Sequence, residues 1–127
     1  MAKTKEKEII NKQQKDIKAS VKYVRVSPFK MRKVANQVRG MMSEEALQRL
    51  SIMTQKSARI MFKLIHSCVS NATNNFELES TTLFISKLLV NEGPKIKRSR
   101  PRARGRMVAI TKPTSHVEVT MSLKGEF

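Results

Sequence analysis

The chain has 127 residues and carries 26 Lys and Arg against 10 Asp and Glu, a formal net charge of +16. That length fits one domain, and the charge far exceeds the magnitude of about 2–8 that solubility asks of a small domain. No apolar run approaches the ~18 residues of a membrane span, the opening MAKTKEKEIINKQQKD has no apolar signal-peptide core, and a lone Cys68 excludes an internal disulfide framework.

Residues 1–17 read as a basic disordered tail. Lys3, Lys5, Lys7, Lys12 and Lys15 alternate there with polar residues, and between Ala2 and Asp16 only Ile9 and Ile10 offer bulk to bury. Residues 18–127 read as a single globular domain. Its first element is a strand, Lys18–Val26, with Val21 and Tyr23 on one side and Lys22, Val24 and Val26 on the other. Ser27-Pro28 then starts a helix, with Ser27 expected to cap it and Pro28 suited to its first position. Met31, Val34, Ala35 and Val38 form one apolar stripe, and Lys30, Arg32, Lys33 and Arg39 take the other faces. Gly40 is the expected stop.

Ser43-Glu44-Glu45 opens a second helix, its acids well placed against the helix dipole. It runs to about Met53, with Ala46, Leu47 and Leu50 inward. The third helix spans roughly Ser57–Asn75 and is the most hydrophobic, with Ala58, Met61, Leu64, Ile65, Cys68, Val69 and Ala72 on its stripe and Asn71, Asn74 and Asn75 at a fraying end. Leu83–Val90 and His116–Leu123 are strands. In the second of them Val117, Val119, Met121 and Leu123 alternate with polar residues. The expected fold class is α+β, three helices packed on a three-stranded antiparallel sheet with a long protruding β-hairpin.

The hairpin follows from the segment between the last two strands. Lys95–Arg106, KIKRSRPRARGR, holds seven basic residues in twelve and no acid. Arg98, Arg100, Arg102, Arg104 and Arg106 occupy alternate positions, which in an extended chain places them on one face. The intervening Ser99, Pro101, Ala103 and Gly105 are small and leave no apolar face to bury. Two arms joined near Ala103 each reach ~40 Å at ~3.3 Å per residue. A free two-stranded hairpin is marginal in water, and guanidinium groups bind phosphates bidentately and stack on bases, so RNA is the natural support.

The distribution of charge agrees. Residues 1–42 hold 12 Lys and Arg and 3 acids, residues 43–92 hold 5 of each, and residues 93–127 hold 9 and 2. Two basic flanks around a neutral middle fit a polyanionic partner better than a solvated face or tail. Enzymatic chemistry has little to use. His66 reads as an edge residue of the third helix and His116 as a strand start, with no paired spacing for zinc. No phosphate-cradling glycine loop, nucleophile motif or carboxylate cluster appears. Aromatic residues are too few for base-stacking platforms, with five Phe, one Tyr and no Trp. No metal, cofactor, membrane or small-molecule substrate is expected. A free-standing nucleic-acid chaperone or architectural DNA binder is the nearest rival reading, with a small RNA-processing enzyme behind it.

The run VNEGPKIKRSRPRARGRMVAITKPTSHVEVTM (Val90–Met121) resembles the C-terminal signature of the ribosomal protein L-twenty-two family. SPFKMRKVANQVRG (Ser27–Gly40) is similar to that family's first-helix motif, and the likeness covers about residues 18–123. The resemblance implies a structural, non-enzymatic constituent of the large ribosomal subunit that binds 23S-type rRNA and supports assembly. It also implies a globular part near the mouth of the peptide exit tunnel and a hairpin, roughly Glu92–Ser115, lining the tunnel wall. The rRNA-binding residues it implies are Lys30, Arg32, Lys33, Arg39, Lys95, Lys97, Arg98, Arg100, Arg102, Arg104, Arg106 and Lys112. The hairpin tip would be Arg102, Ala103, Arg104 and Gly105. Ile96, Lys97 and Arg98 match the family segment linked to macrolide susceptibility. Neighbouring large-subunit proteins and the passing nascent peptide would be further partners. Lys112-Pro113 and a Lys- and Ile-rich tail favour a plastid ribosome, in the chloroplast stroma, over a bacterial one in the cytoplasm.

Overall fold

The computed structural model describes residues 16–123, so the expectation of a disordered tail falls mostly outside the described residues. The elements run β1 (Ile17–Val24), α1 (Pro28–Val38), α2 (Ser43–Ile52), α3 (Lys56–Phe76), a short 3-10 turn (Ser80–Thr82), β2 (Leu83–Glu92), β3 (Ile96–Pro101), β4 (Met107–Lys112) and β5 (Ser115–Leu123). Ile17, placed in the tail by the sequence, instead opens β1 and is buried.

The expected α+β layout is present. An antiparallel sheet in the order β1-β5-β2 takes β5 as its central strand. Val117, Val119 and Met121 of β5 are buried, as their alternation requires. They join Ile85, Leu88 and the stripes of α1 (Met31, Val34, Ala35, Val38) and α3 (Met61, Ile65, Cys68, Ala72) in one core. In α2 only Ser43, Ala46 and Leu50 are buried, and Leu47 packs at the core's edge.

Three local expectations are corrected. The strict alternation proposed for β1 fails at a bulge between Val21 and Val24. Tyr23 there takes a left-handed φ of 58°, so Val24 is buried and Tyr23 lies exposed, its backbone N–H donating to His116 Nδ1 at 3.0 Å. An extra residue breaks the period of two, as bulges do. Ser27 makes no side-chain capping bond; its carbonyl accepts from the Met31 N–H at 3.1 Å, and Pro28 alone shapes the helix start. The Asn-rich end of α3 does not fray before Phe76. Glu77 closes it in the left-handed conformation, with the Glu77 N–H donating to Thr73 O and the Leu78 N–H to Ala72 O. Gly40 ends α1 as expected, at φ 78°, and its N–H donates to Ile85 O.

The β2–β5 ladder ends at Glu92↔Ser115, and the β3–β4 ladder begins at Ile96↔Lys112. Gly93, Pro94 and Lys95 therefore face only Pro113 and Thr114, and the extra residue on the outgoing side makes a bulge at which the ladder breaks into two sheets. The Gly93 N–H donates to Thr114 O at 2.9 Å, and Thr114 Oγ1 donates to Pro94 O at 2.6 Å.

Candidate nucleic-acid interface

Beyond this bulge β3 and β4 form a separate two-stranded sheet. Every residue from Lys97 to Pro113 is exposed. The β3–β4 ladder runs to Pro101↔Met107, so a turn over residues 102–106 joins the two strands. Arg102 N–H donates to Arg106 O at 2.7 Å, with Arg104 at φ 60° and Gly105 at φ 66° inside the turn.

The arginines are not on one strand face. Arg98 and Arg100 lie in β3, whereas Arg102, Arg104 and Arg106 belong to the turn, where strand alternation no longer orders them. The register also supplies apolar neighbours that the segment itself lacks. Arg98 stands opposite Ile110 and Arg100 opposite Val108, and directly opposed residues share a face. Met107, Val108 and Ile110 are exposed. No ion pair joins any of these cations to another described residue.

The cations of α1 differ from one another. Lys30 and Lys33 project freely, Lys33 Nζ resting 5.0 Å from the centre of the exposed Phe29 ring. Arg32 donates to Val90 O at 3.2 Å. Arg39 donates to Leu88 O at 2.7 Å and to Asn36 Oδ1 at 2.9 Å. Both arginines thus fasten the helix to β2 while keeping donors free. Lys30, Lys33 and Lys112 meet around one cavity; Arg32 and Lys95, together with Phe29, line the depression next to it. Arg25 and Lys56 join the first group and had no place among the expected site residues. The available signal was Lys56 in the opening turn of a helix, where the dipole disfavours a cation. One exposed aromatic, Phe29, also accompanies the basic surface despite the scarcity of rings, whereas the exposed Tyr23 meets the His116 ring edge-on.

Among the described residues no group of His, Cys, Asp or Glu has the arrangement of a metal site, and no helix is long and apolar enough to cross a membrane. His66 is exposed beside Phe62, their ring centres 6.3 Å apart.

Residues 19–122 match the profile of the family described as Ribosomal protein L22p/L17e. Among curated relatives, the chain is 44% identical to the large ribosomal subunit protein uL22c of Thalassiosira pseudonana, over 83% of this chain and 91% of that one. It is 45% identical to the large ribosomal subunit protein uL22 of Fusobacterium nucleatum, over 84% and 96%. It is 44% identical to uL22c of Chaetosphaeridium globosum, over 85% and 91%. The uL22 and uL22c forms thus match at the same level.

An α+β domain bearing a basic hairpin, with relatives of these names, defines a structural, non-catalytic protein of the large ribosomal subunit. The chain belongs to the ribosomal protein L22p/L17e family.

Proposed function

We propose that the chain binds large-subunit rRNA of the 23S type, using the hairpin as an arm that RNA supports and α1 as a second contact. The observation that carries this reading is the hairpin itself. It is a two-stranded ribbon with Lys97, Arg98, Arg100, Arg102, Arg104, Arg106 and Lys112 all exposed and no acid between them. Such a ribbon is marginal alone, and phosphates supply both the counter-charge and the packing partner. With the family resemblance, this supports a place for the globular part near the exit-tunnel mouth and for the tip, Arg102–Gly105, in the tunnel wall. Neighbouring subunit proteins and the nascent peptide are then its other contacts, and subunit assembly the process it supports. The Lys112-Pro113 pair and the composition of the tail favour a plastid ribosome. The test is sedimentation of the full chain with large subunits followed by crosslinking to rRNA. Crosslinks from hairpin and α1 peptides are expected, and a chain that sediments free of subunits would refute the reading.

A further inference from the structure

Between the root of the hairpin and the helices lies a cavity of about 830 Å³. Arg25, Lys30, Lys33, Lys56 and Lys112 line it, drawn from the turn after β1, from α1, from the start of α3 and from the end of β4. No Asp or Glu lines it, and none of the five cations forms an ion pair with another described residue. Five like charges around one space repel each other until a counter-charge enters.

Backbone groups point the same way. Ser27 and Gln55, the residues preceding α1 and α3, both line the cavity. Neither helix has a side-chain cap or an acid in its first turn, whereas α2 carries Glu44 and Glu45 there. Two sets of uncapped N–H groups and two positive dipole ends therefore open towards one place. Ser57 is a separate sign. It lines the cavity, is only 4% exposed, and its hydroxyl has no hydrogen-bond partner among the described residues. Its oxygen is not sealed from solvent, so it stands as an open donor on the cavity wall.

We propose that this cavity is a socket for a turn of RNA backbone, its phosphodiester oxygens held by Arg25, Lys56 and Ser57 from the domain and by Lys112 from the hairpin. The inference rests on the rRNA-binding reading and deepens it with residues outside the hairpin face. Its consequence is mechanical. At the bulge, the hairpin root is tied by the Gly93–Thr114 and Thr114–Pro94 hydrogen bonds. A phosphate gripped from both sides fixes the angle of the arm, so that RNA binding at the root aims the tip.

The test is an acetylation footprint of the full chain with and without a large-subunit rRNA transcript. Lys30, Lys33, Lys56 and Lys112 should lose reactivity together, while Lys87, outside the cavity on β2, keeps its own. In parallel, Arg25→Gln/Lys56→Gln should lower the log–log salt slope of transcript binding by roughly 1.4–1.8, for two phosphates at roughly 0.7–0.9 each. If that variant does not fold, the footprint on the parent chain decides alone. A parent chain without steep salt-dependent binding removes the rRNA reading and the socket with it. Steep parental binding with Lys56 still reactive, or with parallel slopes, overturns the socket and leaves the rRNA reading standing. Protection of Lys56 by inorganic pyrophosphate or polyglutamate, but not by the transcript, overturns it too.

Discussion

Gly93 is where the sheet hands over to the hairpin, and its missing side chain matters there. A Cβ at this position would collide with Thr114 Oγ1 and press the His116 ring at 3.3 Å. Thr114 cannot swing away cheaply, because it is buried, β-branched and bonded to Pro94 O. Gly93→Ala should therefore lower stability by about 1–3 kcal/mol, as overpacking does, read as a lower midpoint in urea. Arg39 makes a second residue-scale case. Its bonds to Leu88 O and Asn36 Oδ1 join α1 to β2, so Arg39→Ala should cost about 1 kcal/mol in the free protein. Arg100→Gln, which removes the same charge, should cost nothing measurable by the same urea titration. Cys68 is buried, its thiol donating to Ile17 O at 3.5 Å, and burial pushes its pKa up from 9.0 to about 11. The native thiol stays protonated where the unfolded one ionises. Its contribution to stability is complete below pH 9 and is lost as the pH rises towards 11. Native Cys68 should ignore Ellman's reagent at pH 8 and react at the rate of unfolding; a prompt reaction would show that the packing of α3 against β1 is loose.

Among the elements, α3 holds the domain together. Its stripe meets β1 on one side and α2 on the other, with Met61, Ile65, Cys68 and Ala72 fully buried. Ile65→Asp places an unpaired charge in that layer, which costs several kcal/mol. Circular dichroism should find the variant unfolded at room temperature, and a folded Ile65→Asp with unchanged stability would mean that the stripe is not the core face. Elements of this kind were legible in the sequence because each repeats its own period, 3.6 in α3 and two in β5. The breaks in period were not. The Tyr23 bulge and the Gly93 bulge arise from how two strands meet, and nothing in either strand's own alternation announces them. The same holds for the site. The arginines of the hairpin could be read from spacing along one segment, up to the turn that removes Arg102, Arg104 and Arg106 from the strand face. Arg25, Lys56 and Ser57 are brought beside Lys112 only by the tertiary fold, around one cavity.

The whole molecule separates folding from binding. The central segment, residues 43–92, has balanced charge and contains α2, α3 and β2; the flanks add α1 and the remaining strands, and every Lys and Arg they bring among the described residues is exposed. If that separation holds, removing hairpin charge should leave the fold intact and damage binding alone. Arg98→Gln/Arg100→Gln/Arg102→Gln tests it. None of the three is in an ion pair with a described residue, and all are exposed. Arg98 donates only to the neighbouring Lys97 O through its side chain, and the Arg102 bond at the tip is a backbone one that survives the change. The stability of the free protein should therefore stay within about 0.5 kcal/mol, as for other surface changes. Binding to a large-subunit rRNA transcript should weaken, and the log–log salt slope should fall by roughly 0.7–0.9 for each phosphate the variant no longer neutralises. The urea midpoint and the slope are read on the same two proteins. An unchanged midpoint with a shallower slope assigns these arginines to RNA, parallel slopes deny them any phosphate, and a missing unfolding transition would make them part of the fold after all.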